Sequence, residues 1–357
     1  MDNLRVGIVG VGWGALVNAP AFRAVDGFEL KALCSRRLES VTEAGQKLGL
    51  SDLSTDWESF VRRDDLDLIA VSAPVAQHAP ISIAALEAGK HVLCEKPSAL
   101  DAQTARTMVD AAERSGRAAA MCYTLRWSPF ATAIWRLVDA GFIGTPYLVN
   151  VFHASDYWHP LRNAQSAWMY QRAAGGGYLM GLQSHHIDLV LKLFGPAKAV
   201  CADVRTTLTQ RPMADGSVLE VDADDTAHLS LRLESGASVL LSSTVLAAHG
   251  AGTAIEIYGS DGTIVLERDG TLKAGKAADK TLEPIALTNQ ALKSGADLGT
   301  RRSAAAVRST ALLLEEWLPA FSGQPTPRVP SFHDGWQVQR VVDAARASSE
   351  GAGWVSL

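Results

Sequence analysis

Apolar residues along the first third of the chain fall in short, nearly unbroken runs. Leu4 to Val9, Phe28 to Cys34, Asp67 to Ser72, His91 to Cys94 and Ala118 to Tyr123 are of this kind. Each is too short for a helix and rich in Val, Leu, Ile and Ala, as expected of parallel strands covered on both faces. Helical spacing fills the intervals, with one helix opened by His78-Ala79-Pro80 and running to about Ala88, and another over Ala102 to Ser115. Strands and helices alternating in this way predict a doubly wound sheet. From Ala197 to about Glu267 the period falls to two. Thr226 to Leu233, Ala237 to Val245, Thr253 to Tyr258 and Gly262 to Glu267 alternate, with turn signals at Glu234-Ser235-Gly236 and Gly259-Ser260-Asp261-Gly262. These read as antiparallel strands with one face on helices and the other open. Ala131 to Ala140, Leu179 to Phe194, Ser303 to Phe321 and Trp336 to Ser348 read as helices, and Lys273 to Gly299 as an irregular loop.

The first strand runs directly into Gly10-Val11-Gly12-Trp13-Gly14-Ala15. In a G-x-G-x-x-A turn between strand and helix, the first glycine permits the turn, the second admits a pyrophosphate to the backbone, and a small third residue lets helix pack on strand. The expected architecture is therefore an α/β Rossmann dinucleotide-binding domain over residues 1–124. It is followed over residues 125–357 by an α+β domain with a large open, mainly antiparallel sheet, whose last helix packs back on the body. At the end of the second strand, where an NAD site usually carries an acidic residue for the ribose hydroxyls, stand Ser35, Arg36 and Arg37. A hydroxyl and two guanidinium groups suit a 2′-phosphate, so NADP is favoured over NAD; the alternative is that both arginines merely open a solvated helix. His78, after Ala73-Pro74, either touches the cofactor or simply begins its helix.

The strand His91 to Cys94 delivers Glu95, Lys96 and Pro97 to the carboxyl edge of the sheet, where ligands of open α/β sheets bind. Alternation along a strand sends Glu95 and Lys96 to opposite faces. A partly desolvated lysine there can lower the energy of an alkoxide or polarise a carbonyl, against the plainer reading of a surface lysine. Four of nine tryptophans, Trp127, Trp135, Trp158 and Trp168, fall between Tyr123 and Tyr170 together with Arg126 and His159. Aromatic faces beside hydrogen-bonding groups suit a sugar or polyol. Trp135 lies on a helix and reads as core, whereas Trp158 and Trp168 lie in loop-like sequence and are the better site candidates. Gly175-Gly176-Gly177 reads as a flexible entry to the next helix. On that helix His186 falls among Leu182, Leu189, Val190 and Leu193 and reads as packed, while His185 falls on a polar stripe with Gly181, Asp188 and Lys192 and can face a cleft.

These motifs resemble, in order, those of the glucose-fructose oxidoreductase, inositol dehydrogenase and rhizopine-catabolism (Gfo/Idh/MocA) family. The run Ala84-Ala85-Leu86-Glu87-Ala88-Gly89-Lys90-His91-Val92-Leu93-Cys94-Glu95-Lys96-Pro97 is its most specific part, and the likeness continues through Gly141 to Gly144, Gly175 to Gly195 and His333-Asp334-Gly335. The resemblance implies that Lys96 contacts nicotinamide and substrate, that the Lys96-Pro97 bond is often cis, and that His185 is the general base. It also implies sheet-face dimers. The family's Asp-x-x-x-His pattern is broken here, because Gly181 occupies the aspartate position; the space on that face is left to a larger substrate, a water or Gln183.

Composition narrows the partners. The net charge of -5 and the lack of a Lys/Arg cluster argue against nucleic acid. Four scattered cysteines suggest neither zinc nor a disulfide framework and suit a cytoplasmic protein, and no apolar run reaches the roughly 18 residues of a membrane helix. The reading is an NADP-preferring oxidoreductase of a sugar, inositol or polyol. Cofactor binding falls to Gly10, Gly12, Trp13, Gly14, Ala15, Ser35, Arg36, Arg37, Ala73, Pro74, His78, Glu95, Lys96 and Pro97, catalysis to Lys96 and His185, and substrate contacts to these two with Arg126, Trp158, Trp168 and Gln183. No metal is expected, and a homodimer or homotetramer through the open sheet face is. The alternatives are a glycoside-cleaving enzyme that oxidises its substrate transiently, and a sugar sensor without catalysis.

Overall fold

A computed structural model describes residues 3–162, 166–213, 216–288, 291–292 and 303–357. The chain forms two compact units, Met1–Ser128 with Asn289–Trp336, and Pro129–Thr288 with Gln337–Leu357. The first unit is thus built from two pieces of chain.

In the first unit β1 (Leu4–Val9), β2 (Phe28–Cys34), β3 (Leu53–Ser54), β4 (Leu68–Val71), β5 (His91–Cys94) and β6 (Ala119–Met121) form one parallel sheet. Its order, β3-β2-β1-β4-β5-β6, reverses direction beside β1. The helices α1 (Ala19–Arg23), α2 (Leu38–Leu48), α3 (Trp57–Phe60), α4 (His78–Glu87) and α5 (Ala102–Ser115) connect the strands. Continuous burial of β4 explains its unbroken apolar run, Leu68-Ile69-Ala70-Val71. The ends of α5 are fixed locally. Asp101 accepts the Thr104 N–H at 2.7 Å, and Gly116 closes the helix in the left-handed conformation.

In the second unit the strands are β7 (Pro146–Ala154), β8 (Ala197–Arg205), β9 (Gln210–Pro212), β10 (Val218–Glu220), β11 (Thr226–Leu233), β12 (Ser238–Thr244), β13 (Gly252–Gly259), β14 (Gly262–Leu266), β15 (Leu272–Lys276), β16 (Glu283–Ile285) and β17 (Val355–Ser356). Nine of them form a sheet in the order β16-β15-β14-β13-β7-β12-β11-β8-β17, and β9 and β10 pair separately. All neighbours in the large sheet are antiparallel except β7 and β12, which run parallel. Strand β7, not read as a strand from the sequence, turns Val149 and Val151 inward. The stretch from Lys273 to Gly299, expected to be irregular, contributes β16 and most of β15; residues 289–290 and 293–299 lie outside the described part. Helices α6 (Pro129–Asp139) and α7 (Ser184–Phe194) cover the inner face, where Ile134, Leu189 and Val190 surround one small apolar space with Val149 and Ile257.

Two helices complete the chain. Leu313, Leu314 and Trp317 of α8 (Ala304–Trp317) join the core of the first unit with Val17, Phe22 and Phe28. The boundary between the units falls inside α9 (Phe332–Ala347), after Trp336.

Candidate active site

The carboxyl ends of β1, β4 and β5 meet where the strand order reverses, the place at which a doubly wound sheet leaves a crevice for a ligand. Gly10 has φ 102° and donates its N–H to the Cys34 carbonyl at 2.8 Å. A Cβ there would stand 2.2 Å from the Ser72 carbonyl oxygen, so the turn accepts no side chain. By contrast a Cβ on Gly12 would meet nothing within 4 Å, which leaves its backbone open to a bound group. A wide π turn, Gly14–Asn18, leads into α1, with Gly14 packed on Ile8, Ala15 half-buried and Trp13 exposed. Asn18, which the sequence did not single out, donates to the Ser72 hydroxyl at 2.9 Å and braces the two turns. Such a cradle fits a dinucleotide's pyrophosphate. We expect Gly10→Ala to destabilise the protein by about 2–4 kcal/mol, since the close approach adds to the strain of positive φ; thermal denaturation checks it, and an unchanged midpoint would refute it.

Ser35 is half-buried at the end of β2, while Arg36 and Arg37 are exposed. Among the described residues neither arginine forms an ion pair. Both guanidinium groups are therefore available to an anionic ligand.

Beyond β4, Ala73 is half-buried and Pro74 exposed. His78 is neither an open cofactor contact nor a bare helix start. Its ring is 2% exposed and lies between two backbone carbonyls, Nδ1 at 2.8 Å from Pro97 and Nε2 at 2.8 Å from Ala73. Burial lowers its pKa and the two carbonyls act the other way. Beyond β5 the predicted alternation holds: Glu95 is buried at 7% exposure and Lys96 is half-buried. Glu95 accepts the Lys96 N–H at 3.2 Å. Burial raises its pKa, and the Lys96 charge with hydrogen bonds from Cys122 and Asn18 offsets part of that. Burial likewise lowers the pKa of Lys96, with Glu95 opposing. The Lys96-Pro97 peptide is cis.

Arg126, offered by the sequence as a substrate contact, is 1% exposed and is taken up internally. It donates to the Arg328 carbonyl at 2.9 Å and stands 3.5 Å from the Asp334 carboxylate.

The other candidates belong to the second unit. Trp158 is not in an open loop; it is 4% exposed, tilted against Tyr170 with ring centroids 4.8 Å apart in a cluster with Tyr178 and Val221. Arg211 fixes that stretch by stacking on Tyr170 and donating to the Trp158, His159 and Arg162 carbonyls. Trp168 is exposed. Gln183 is buried, and its carbonyl accepts the Ser243 hydroxyl at 2.8 Å, which ties it to β12.

His186 packs on the inner face of the sheet, as its apolar neighbours indicated, and burial pushes its pKa to about 3. The polar stripe is less open than predicted, with His185 at 8% and Asp188 at 1% exposure, while Leu182 of the apolar set is exposed instead. A Cβ on Gly181 would meet nothing within 4 Å, so the missing aspartate reflects no lack of room.

Gly175 to Gly177 are buried, and a Cβ on Gly176 would stand 2.5 Å from the Met169 carbonyl oxygen. Gly177 has φ 107°, and a Cβ on it would stand 2.3 Å from the Asp224 carboxylate. Asp224 accepts the Leu179 N–H at 2.6 Å and so anchors the turn that enters the His185 helix. Its sequence signal was the pair Asp224-Asp225 placed directly before an apolar strand.

A dinucleotide cradle on a Rossmann sheet, followed by a unit built on a large mixed sheet, defines an NAD(P)-dependent oxidoreductase. Residues 4–123 match the oxidoreductase family with an NAD-binding Rossmann fold, and residues 132–265 match the GFO/IDH/MocA C-terminal domain. The chain belongs to the Gfo/Idh/MocA family. It is 28% identical to a levoglucosan dehydrogenase of Pseudarthrobacter phenanthrenivorans, with 100% of this chain and 99% of the relative covered. It is 26% identical to the NADP+-dependent scyllo-inositol 2-dehydrogenase of Bacillus subtilis, covering 74% of this chain and 69% of the relative. A levoglucosan dehydrogenase solved with NADH and levoglucosan superposes with a TM-score of 0.85 at 26% identity, over 100% of this chain and 99% of that one. The resemblance read from the sequence is thus borne out, as is a dehydrogenase acting on CH–OH groups.

Proposed function

We propose that the protein oxidises a secondary hydroxyl of a cyclic sugar, anhydrosugar or inositol, or reduces the matching ketone, with NADP preferred. The observation that carries the reading is Lys96, set on the carboxyl edge of the nucleotide-binding sheet behind a buried carboxylate. When bound, the nicotinamide supplies the two-electron redox chemistry. The chain's part is to bind, orient and move a proton. The Lys96 ammonium donates to the substrate oxygen and stabilises negative charge as it develops there, and His185 takes the hydroxyl proton. Gly181 leaves the carboxylate out and the space free, which suits a ring that carries no hydroxyl to pair with an acid at that point. Incubation with NADP and levoglucosan or scyllo-inositol tests the reading: a product two hydrogens lighter supports it, and cleavage of a glycoside with no net change in cofactor would favour the transient-oxidation alternative.

The NADP preference rests on Arg36 and Arg37. Their joint replacement by alanine is expected to weaken NADP binding about 10–100-fold, the worth of one or two charge-assisted hydrogen bonds, and NAD binding by less than about 3-fold. Fluorescence titration with both nucleotides measures it; equal weakening of the two would show that the arginines do not read the 2′-phosphate.

The outer face of the large sheet exposes Leu240 and Tyr258, which stand opposite Asn150 and Leu148 of β7. We assign this face to pairing with a second copy of the chain, which Leu240→Lys should weaken in sedimentation experiments. Three unpaired cysteines, Cys34, Cys94 and Cys122, are buried, in keeping with a reducing, cytoplasmic setting.

A further inference from the structure

The His78 ring has a carbonyl oxygen against each nitrogen, Pro97 at 2.8 Å from Nδ1 and Ala73 at 2.8 Å from Nε2. A carbonyl oxygen only accepts, so each contact requires an N–H on the ring. A neutral imidazole carries one N–H in either tautomer, and its other nitrogen would turn a lone pair toward an oxygen at hydrogen-bond distance. Only the imidazolium satisfies both. The two carbonyls belong to the turns that follow β4 and β5, one immediately before Pro74 and the other one residue beyond Lys96.

We propose that the folded protein holds His78 doubly protonated, as a clamp joining the Ala73-Pro74 turn to the Lys96-Pro97 turn, and that it is thereby a positioning residue for Lys96. Burial and the nearby positive charge of Lys96 oppose the charge on the ring. Against them stand two charge-assisted hydrogen bonds, each about twice as strong as a neutral one. A neutral ring would set a lone pair against one of the two oxygens at 2.8 Å and leave that carbonyl without this donor, a loss felt most at the buried Pro97 contact. The neutral ring keeps one such lone-pair contact in either tautomer, and that contact favours the imidazolium. The charge state follows from this geometry alone; the positioning role rests on the function proposed above for Lys96.

Nitrogen-15 NMR of the histidine rings in the full chain at neutral pH tests the clamp, with His78 assigned from the spectrum of His78→Gln, or by substitution of the other histidines if that variant does not fold. Two similar nitrogen shifts, both carrying a proton, are expected for His78. The widely split pair of a neutral tautomer would overturn the proposal. In the folded His78→Gln variant kcat should fall about 10-fold with the KM for NADP changed by less than about 3-fold; an unchanged kcat would refute the positioning role. Should Lys96 prove dispensable, the nitrogen spectrum still reports the clamp, so the two readings fail separately.

Discussion

Lys96→Met is expected to lower kcat by about 10³-fold or more while leaving NADP binding within a few-fold of the parent protein. Methionine keeps the apolar stem and removes the charge, so the change isolates the ammonium. That ammonium can be worth several kcal/mol, because it acts on an oxygen whose charge grows only as the reaction proceeds, from a half-buried position where its own charge is partly desolvated. Burial lowers the Lys96 pKa from that of an ordinary lysine, with Glu95 holding it partly up. The active form is the charged one, so activity should fall as pH rises through the lowered pKa, earlier than an unperturbed lysine would allow. Stopped-flow turnover and fluorescence titration of nucleotide, run on the same preparations, separate the two quantities. Loss of nucleotide binding in a folded variant would make Lys96 a binding residue instead.

His185→Ala carries the second large effect, a fall in kcat of about 10²–10⁴-fold at neutral pH, the range over which a positioned acid–base group usually contributes. Partial recovery at high pH should accompany it, because hydroxide then replaces the missing base. The comparison residue is His186, one position on. It lies against Ile134, Leu189 and Val190, and its ring is held neutral by burial. His186→Leu should leave the pH profile in place, whereas a profile that followed His186 would reverse the assignment of the two histidines.

The parallel strands were legible because burial on both faces writes itself as continuous apolar runs, and the turn after β1 was legible because Gly10 and Gly14 stand where a side chain would clash. Local alternation likewise separated Glu95 from Lys96. What escaped was set by partners distant in sequence. Arg126 looked available for substrate until the Arg328 carbonyl and Asp334, two hundred residues on, claimed it. Trp158 looked exposed in its own stretch, yet the Arg211 side chain fixes it from 53 residues away. The Gln183 carbonyl oxygen was taken by Ser243, and His78 by two carbonyls no periodicity could reveal. Strand β7 was missed for another reason. Its partners β12, parallel, and β13, antiparallel, both lie far along the chain, so no hairpin turn announced either pair.

The role proposed for Lys96 is redox chemistry on a hydroxylated ring. Absorbance of reduced nicotinamide, followed with NADP and NAD in parallel across a panel of anhydrosugars, sugars and inositols, tests it most directly when the parent protein and Lys96→Met are run side by side. Net cofactor reduction with at least one ring substrate, faster with NADP, is expected, and it should disappear in the variant. Tight nucleotide binding with no net reduction on any member of the panel, or turnover that survives the loss of Lys96, would contradict it.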